Sequence, residues 1–220
     1  MHKLYFGPGA CSFVPHAALE IIKAATGEEF ETQMVKLHKG EQNSPEFRAI
    51  NPDGQVPVLA VDGQALTQIV AIAQYLDAKY PQLEMLPKDP WARARTLSTM
   101  AWMNNTVHPT FTHIFMPFKY AEDKAALAEM KRYNTLLFTD QLKRIENTLI
   151  AKADPYINGA KIGFLDLYAV VFLRWGGLAG IDPDSMPAYK AFVDRIAAVP
   201  PVSQALVREA QPLHYFKKAA

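Results

Sequence analysis

Val56-Pro57-Val58-Leu59-Ala60-Val61-Asp62-Gly63-Gln64-Ala65-Leu66 reads as two short extended runs joined by Asp-Gly. That dipeptide tolerates the positive φ angles of a tight hairpin turn, so the stretch predicts an antiparallel hairpin. Just upstream, Asn51-Pro52-Asp53-Gly54 is a strong turn signal. Just downstream, Ile69, Ile72, Ala73 and Leu76 recur at helical spacing, up to Tyr80-Pro81. Nearer the N-terminus, Lys3-Leu4-Tyr5-Phe6 is extended and is stopped by Gly7-Pro8-Gly9. Val14, Ala17, Ala18, Ile21, Ile22 and Ala25 then mark a helix that Thr26-Gly27 ends, and Phe30 to Val35 reads as a second strand. A polar stretch, Lys39 to Pro45, leads irregularly into the Asn51 turn. The order is βαβ, an irregular segment, then ββα. A parallel unit followed by a hairpin predicts a mixed sheet covered by helices, an α/β class.

From Pro81 to Pro90 the chain carries Pro81, Pro87 and Pro90 and no periodic pattern, which reads as a linker. Beyond it every pattern is helical. One helix starts near Pro90-Trp91 and runs at least to Val107. A second spans roughly Ala121 to Lys152, with apolar Leu127, Met130, Leu137, Leu142, Ile145 and Leu149. A third runs from Phe164 to Leu178, and shorter ones cover Tyr189 to Val199 and Ser203 to Glu209. The predicted organisation is an α/β domain over 1–80, a linker over 81–90 and an all-helical bundle over 91–220.

Composition narrows the function classes. Half of the 220 residues are hydrophobic, enough for a substantial core. With 23 basic and 22 acidic side chains the net charge is +1, so no long-range field favours nucleic acid or an anionic membrane. The Lys217-Lys218 pair is too short to act as an interaction tail. The apolar run Leu165 to Ile181 is interrupted by Asp166 and Arg174 and is shorter than the roughly 20 residues of a membrane helix. No secretory pattern opens the chain. Cys11 is the single cysteine, which excludes an intrachain disulfide and suits a reducing compartment, so a cytoplasmic location is expected.

Cys11 follows a Gly-Pro-Gly-Ala loop and precedes a helix. Unpaired N–H groups at a helix start favour a thiolate, so a lowered pKa is expected. Ser12 is either a hydrogen-bond donor to a bound thiolate or an N-cap. Pro57, early in a run of strand character, implies an edge strand or a cis bond that turns the Val56 backbone toward a ligand. Thr67-Gln68-Ile69 opens a helix whose N–H groups suit a carboxylate. His108 precedes Pro109, which suggests a helix break and leaves the histidine as a surface group, a cap or a catalytic partner. His113, five residues on, does not share its helical face, so a metal site is not expected. Asp166 is read as a structural residue that reaches back to the helix start at Gly163.

These residues fall into a familiar pattern. Leu4-Tyr5-Phe6-Gly7-Pro8-Gly9-Ala10-Cys11-Ser12-Phe13-Val14-Pro15-His16 resembles the opening of bacterial beta-class glutathione transferases. Asn51 through Leu59, Leu66-Thr67 and Ala71 through Leu76 are similar to that family's central motifs. His108 with Phe111, and Leu173-Arg174-Trp175 on the helix from Asp166, are similar to its C-terminal domain. The resemblance covers nearly the whole chain. It implies a thioredoxin-like N-terminal domain, a cis bond before Pro57, and a Val56 backbone that pairs with the cysteinyl part of glutathione. It also implies Cys11 beside the glutathione sulfur, able to form a mixed disulfide, and His108 approaching that sulfur. Lys39 matches a lysine for the glycine carboxylate, and Asn105 a small polar residue near the thiol. A homodimer and an apolar pocket for small hydrophobic electrophiles follow from the same resemblance, with glutathione as co-substrate and no permanently bound cofactor. The implied activities are conjugation, relevant to detoxification, and thiol exchange through Cys11. The chain departs from the pattern at Gln68, usually Glu, at Ile69, usually Ser or Gly, and at Ala101, often Asn. Those departures support a competing reading, a non-catalytic binding or stress protein of the same fold.

Overall fold

Strand β1 (His2–Phe6) pairs in parallel with β2 (Phe30–Met34) on one side. On the other it pairs antiparallel with β3 (Val58–Val61), which pairs antiparallel with β4 (Gln64–Thr67). The sheet order is β2-β1-β3-β4, a mixed sheet. The structure is a computed structural model that describes residues 1–216, so the Lys217-Lys218 pair lies outside the described residues.

Parallel pairing of β1 with β2 needs a crossover, which is helix α1 (Phe13–Thr26). Gly27 ends it at φ 76°, and its N–H donates to Lys23 O at 2.8 Å. The hairpin turns through Asp62 at φ 49° and Gly63 at φ 84°, the positive angles its sequence predicts. Helix α3 (Ile69–Lys79) follows β4 directly.

Two expectations in this half need correction. Pro57 lies just before β3 rather than within it, and β3 is an interior strand, so no edge position is needed to accommodate the missing N–H. The Val56-Pro57 peptide is cis. The irregular segment also contains a short helix, α2 (Pro45–Ile50), started by Ser44, whose hydroxyl accepts the Phe47 N–H at 3.2 Å. Serine followed by proline at the first helical position is its sequence signal.

After a 3₁₀ turn at Pro81–Leu83, Met85 and Leu86 are buried, and Leu86 N–H donates to Asp77 Oδ1 at 2.9 Å. Helix α4 (Pro90–Trp102) then begins, capped by Asp89, which accepts the Ala92 N–H. No break occurs at His108. A π-helical turn (Met103–Val107) joins α4 to α5 (His108–Phe115). Pro109 has no N–H and its ring crowds the carbonyl four residues back, and the wider turn removes that conflict without ending the helix.

Helices α6 (Lys124–Thr148), α7 (Phe164–Leu178), α8 (Pro187–Ala197) and α9 (Pro200–Glu209) complete the helical half. Helix α7 is its axis, buried from Phe164 to Gly176. Each large apolar side chain there stabilises the fold by roughly 1.5–3 kcal/mol. Asp166 is structural, as its position predicts: its carboxylate accepts the N–H groups of Gly163 at 2.7 Å and Ile157 at 2.9 Å. Burial pushes its pKa up to about 6, against the pull of those donors. Helix α1 packs against α7 and α9, so the helical half lies directly behind the loop that carries Cys11.

Candidate active site

The Gly7-Pro8-Gly9-Ala10-Cys11 loop is held from three sides. Ser12 Oγ accepts the Gly7 N–H at 3.0 Å and donates to Gly7 O at 3.1 Å. Gly9, at φ 75°, gives its N–H to Glu209 Oε2 at 2.9 Å, and its carbonyl accepts Trp175 Nε1–H at 2.9 Å. The other oxygen of Glu209 lies 3.2 Å from His16 Nδ1, with both side chains buried. Helices α7 and α9 therefore fix both polar groups of one loop residue, two positions before the cysteine.

These contacts correct the reading of Ser12. It stands at the N-cap position of α1 without a side-chain cap bond, is fully buried, and its hydroxyl is engaged with Gly7 inside the loop. Cys11 needs a correction too. Its Sγ lies 3.6 Å from Val56 O, and burial pushes the thiol up to about 12. The Glu209 charge adds to the rise, while backbone N–H groups at Cys11 and Ser12 pull it down by less. The helix-start effect is present, but desolvation outweighs it.

Cys11 opens onto a cleft of about 290 Å³ between the sheet half and α5. Cys11, Val56, Pro57, Gln68, Ile69 and His108, all singled out from sequence, line it together. Ser12, Lys39 and Asn105 lie outside the lining. Lys39 is exposed at the end of a 3₁₀ turn (Leu37–Lys39). Asn105 is exposed, and its neighbour Asn104 faces the cleft instead, accepting the Tyr168 hydroxyl at 3.1 Å and donating to Asn105 Oδ1 at 3.1 Å. The π turn adds a residue to one turn and so rotates the face that the side chains present.

On the sheet side, Gln68 is exposed and sits at φ 69° and ψ 118°, an unfavourable conformation for a residue with a Cβ. Ile69 is buried behind it. On the helical side, the half-buried His108 packs edge-on against Trp175, with ring centroids 4.8 Å apart. Trp175 in turn stacks on Phe111 at 4.4 Å. Burial lowers the His108 pKa to about 4, so the imidazole is neutral at neutral pH and offers one N–H donor. Thr112, Lys119 and Tyr120, which sequence reasoning did not single out, extend this wall to the rim. Among the described residues, no group of three His, Cys, Asp or Glu side chains could hold a metal ion, and no helix is long and apolar enough to cross a membrane.

The family model for the N-terminal domain of glutathione S-transferase matches residues 2–78. Over 211 residues the chain is 31% identical to glutathione S-transferase GstA of Escherichia coli O157:H7, covering 94% of this chain and 98% of that protein. A beta class glutathione S-transferase of Sphingomonas chungbukensis superposes with a TM-score of 0.79 at 30% identity, covering 94% of this chain and 98% of that one. A sphingomonad glutathione S-transferase complexed with glutathione gives a TM-score of 0.80 at 31% identity, covering 96% and 100%.

Proposed function

The chain belongs to the glutathione S-transferase family and is a transferase that uses glutathione, and we propose that its main reaction is conjugation of glutathione to small hydrophobic electrophiles. The observation that carries this reading is the pairing, in one cleft, of a protonated Cys11 thiol with a neutral His108 ring. Both are hydrogen-bond donors without charge. The glutathione sulfur docks beside the Val56 backbone, within reach of both. Its γ-glutamyl end lies toward Gln68 and the start of α3, where unpaired N–H groups suit a carboxylate.

In this arrangement glutathione gives its thiol proton to water, and the resulting thiolate is held by an N–H of His108 and by the S–H of Cys11, which turns from the Val56 carbonyl to the sulfur as glutathione's own backbone N–H takes that carbonyl. His108, at a pKa of about 4, is too weak a base to retain the proton itself. The thiolate attacks the electrophilic carbon. A carbon–sulfur bond forms, and the leaving group departs with its electron pair. Thiol exchange would require Cys11 as a thiolate, which burial disfavours.

We propose in addition a homodimer, for which the 73% exposure of Trp91 at the start of α4 offers an apolar surface. A cytoplasmic role in detoxification fits a site built around a free thiol, which a reducing compartment preserves. The test compares turnover of a chlorodinitrobenzene with turnover of a glutathione mixed disulfide, in the parent and in Cys11→Ala. Conjugation that is lowered by about 10-fold but retained, while exchange is abolished, supports the reading. Loss of conjugation together with exchange assigns Cys11 as the nucleophile and overturns it.

A further inference from the structure

The outer wall of the cleft carries a charge that the thiol chemistry does not use. Helix α5 presents His108 and, one turn on, Thr112 to the cleft; after Phe115 the chain folds through a 3₁₀ turn at Pro117–Lys119 and brings Lys119 and Tyr120 to the rim. This rim has a defined shape. Tyr120 N–H donates to Pro117 O at 2.9 Å and Lys119 N–H to Met116 O at 3.2 Å. The Tyr120 ring lies against His113, with centroids 4.2 Å apart.

The Lys119 ammonium has no ion pair and no hydrogen bond among the described residues. His108 is neutral, so among the described residues lining the cleft Lys119 is the cation and Asp53, from the loop before β3, is the anion. Phe115 and Phe118 flank the rim at 58% and 66% exposure. An ammonium without a partner among the described residues, on the same rim of the cleft as the half-exposed Tyr120 ring, matches a planar apolar body with an acidic substituent. The γ-glutamyl carboxylate of glutathione has its donors elsewhere in this reading, at the start of α3.

We infer that Lys119 selects aromatic electrophiles bearing an anionic group, a carboxylate or sulfonate that meets the Lys119 ammonium while the ring lies along Tyr120. This rests on the conjugation reading above. Because Lys119 is exposed, its attraction is partly screened, and a preference of about 2- to 5-fold is expected, weakening with added salt.

The test measures binding of two preformed conjugates by calorimetry, so it does not depend on turnover. One is glutathione joined through sulfur to nitrobenzene, the other glutathione joined to nitrobenzoate. The expected result is that the parent prefers the benzoate conjugate, that Lys119→Gln abolishes the preference, that Lys119→Glu reverses it and that Lys119→Arg restores it. Equal binding of the two conjugates by the parent, or a preference that persists in Lys119→Gln, overturns the assignment and leaves conjugation standing. A Lys119→Gln variant that loses affinity for free glutathione as much as for the benzoate conjugate assigns the lysine to glutathione itself and also overturns the proposal. Binding of neither conjugate while free glutathione binds overturns the conjugation reading together with it.

Discussion

The Cys11 sulfur sits 3.6 Å from the Val56 carbonyl oxygen, so the one thiol of the chain is engaged with the backbone that precedes β3. A buried thiol in that position is a donor, and its raised pKa, about 12, has a measurable consequence. Iodoacetamide alkylation of the free protein is expected to be slow at about pH 8, with no plateau below about pH 10. A plateau below about 8.5, the ordinary cysteine value, contradicts this. The stability effect has a definite sign. A raised folded-state pKa contributes stability that is full below the unfolded value of about 8.5 and is lost as pH rises toward 12. Urea midpoints for Cys11→Ala should therefore fall less steeply above about pH 9 than those of the parent.

In the proposed reaction His108 acts as an N–H donor to the glutathione sulfur. His108→Ala is expected to lower kcat by about 10- to 100-fold, the effect of losing a hydrogen bond to a charged atom, with a smaller change in KM. His108→Asn, which keeps an N–H, should recover part of it. A change confined to KM would instead mean that the ring supplies only uniform binding. The depressed pKa adds a second test. A histidine held neutral by the fold contributes stability that is full above about pH 6.5 and is lost as pH falls toward about 4. His108→Phe should accordingly lose less stability than the parent between pH 7 and about pH 4.5.

The elements that were legible in the sequence are those with local causes. Asp62-Gly63 and Gly27 demand positive φ, and the apolar spacing of Val14 to Ala25 and of Phe164 to Leu178 belongs to single helices. The differences arise from contacts that form only in the folded chain and that residue spacing does not report. The helix-start argument for Cys11 was locally sound, but the burial that reverses its effect comes from the fold around it, and Glu209, which adds to the rise, is almost two hundred positions away in sequence. Ser12 looked free because its partner, Gly7, lies behind it in the same loop. Lys39 comes from the resemblance alone, and it stands exposed at the end of a 3₁₀ turn outside the cleft lining.

The exchange of Asn104 for Asn105 follows from helix phase. A regular α-helix through residue 107 would direct side chains differently from one that passes through a π turn at Met103–Val107. Asn104→Ala should weaken kcat/KM by about 3- to 10-fold, because it removes a polar group from the cleft and leaves the buried Tyr168 hydroxyl without its acceptor. Asn105→Ala, at an exposed position, should stay within about 2-fold. The reverse order of effects would place the π turn differently in solution.

Gln68 combines a strained backbone with a neutral side chain, and the two can be separated by substitution. Its φ of 69° and ψ of 118° cost a residue with a Cβ roughly 1–3 kcal/mol. Gln68→Gly relieves that strain but adds about 0.5–1 kcal/mol of unfolded-state entropy. A net gain in stability of about 0.5–2 kcal/mol is therefore expected, read as a higher Tm. If the γ-glutamyl end docks as proposed, the same variant should bind glutathione more weakly, because it lacks an amide to meet the ammonium. Gln68→Glu tests the charge alone. A carboxylate bonded to an ammonium exceeds a neutral amide by roughly 1–2 kcal/mol, or about 5- to 30-fold in affinity. Since position 68 is exposed, added salt should erode part of that gain. Calorimetric titration of the three proteins with glutathione decides the matter. If Gln68→Gly is more stable and binds unchanged while Gln68→Glu binds no better, the strain is confirmed but the γ-glutamyl end docks elsewhere. The neutral glutamine would then be a mark of a fold that has loosened its hold on the thiol ligand.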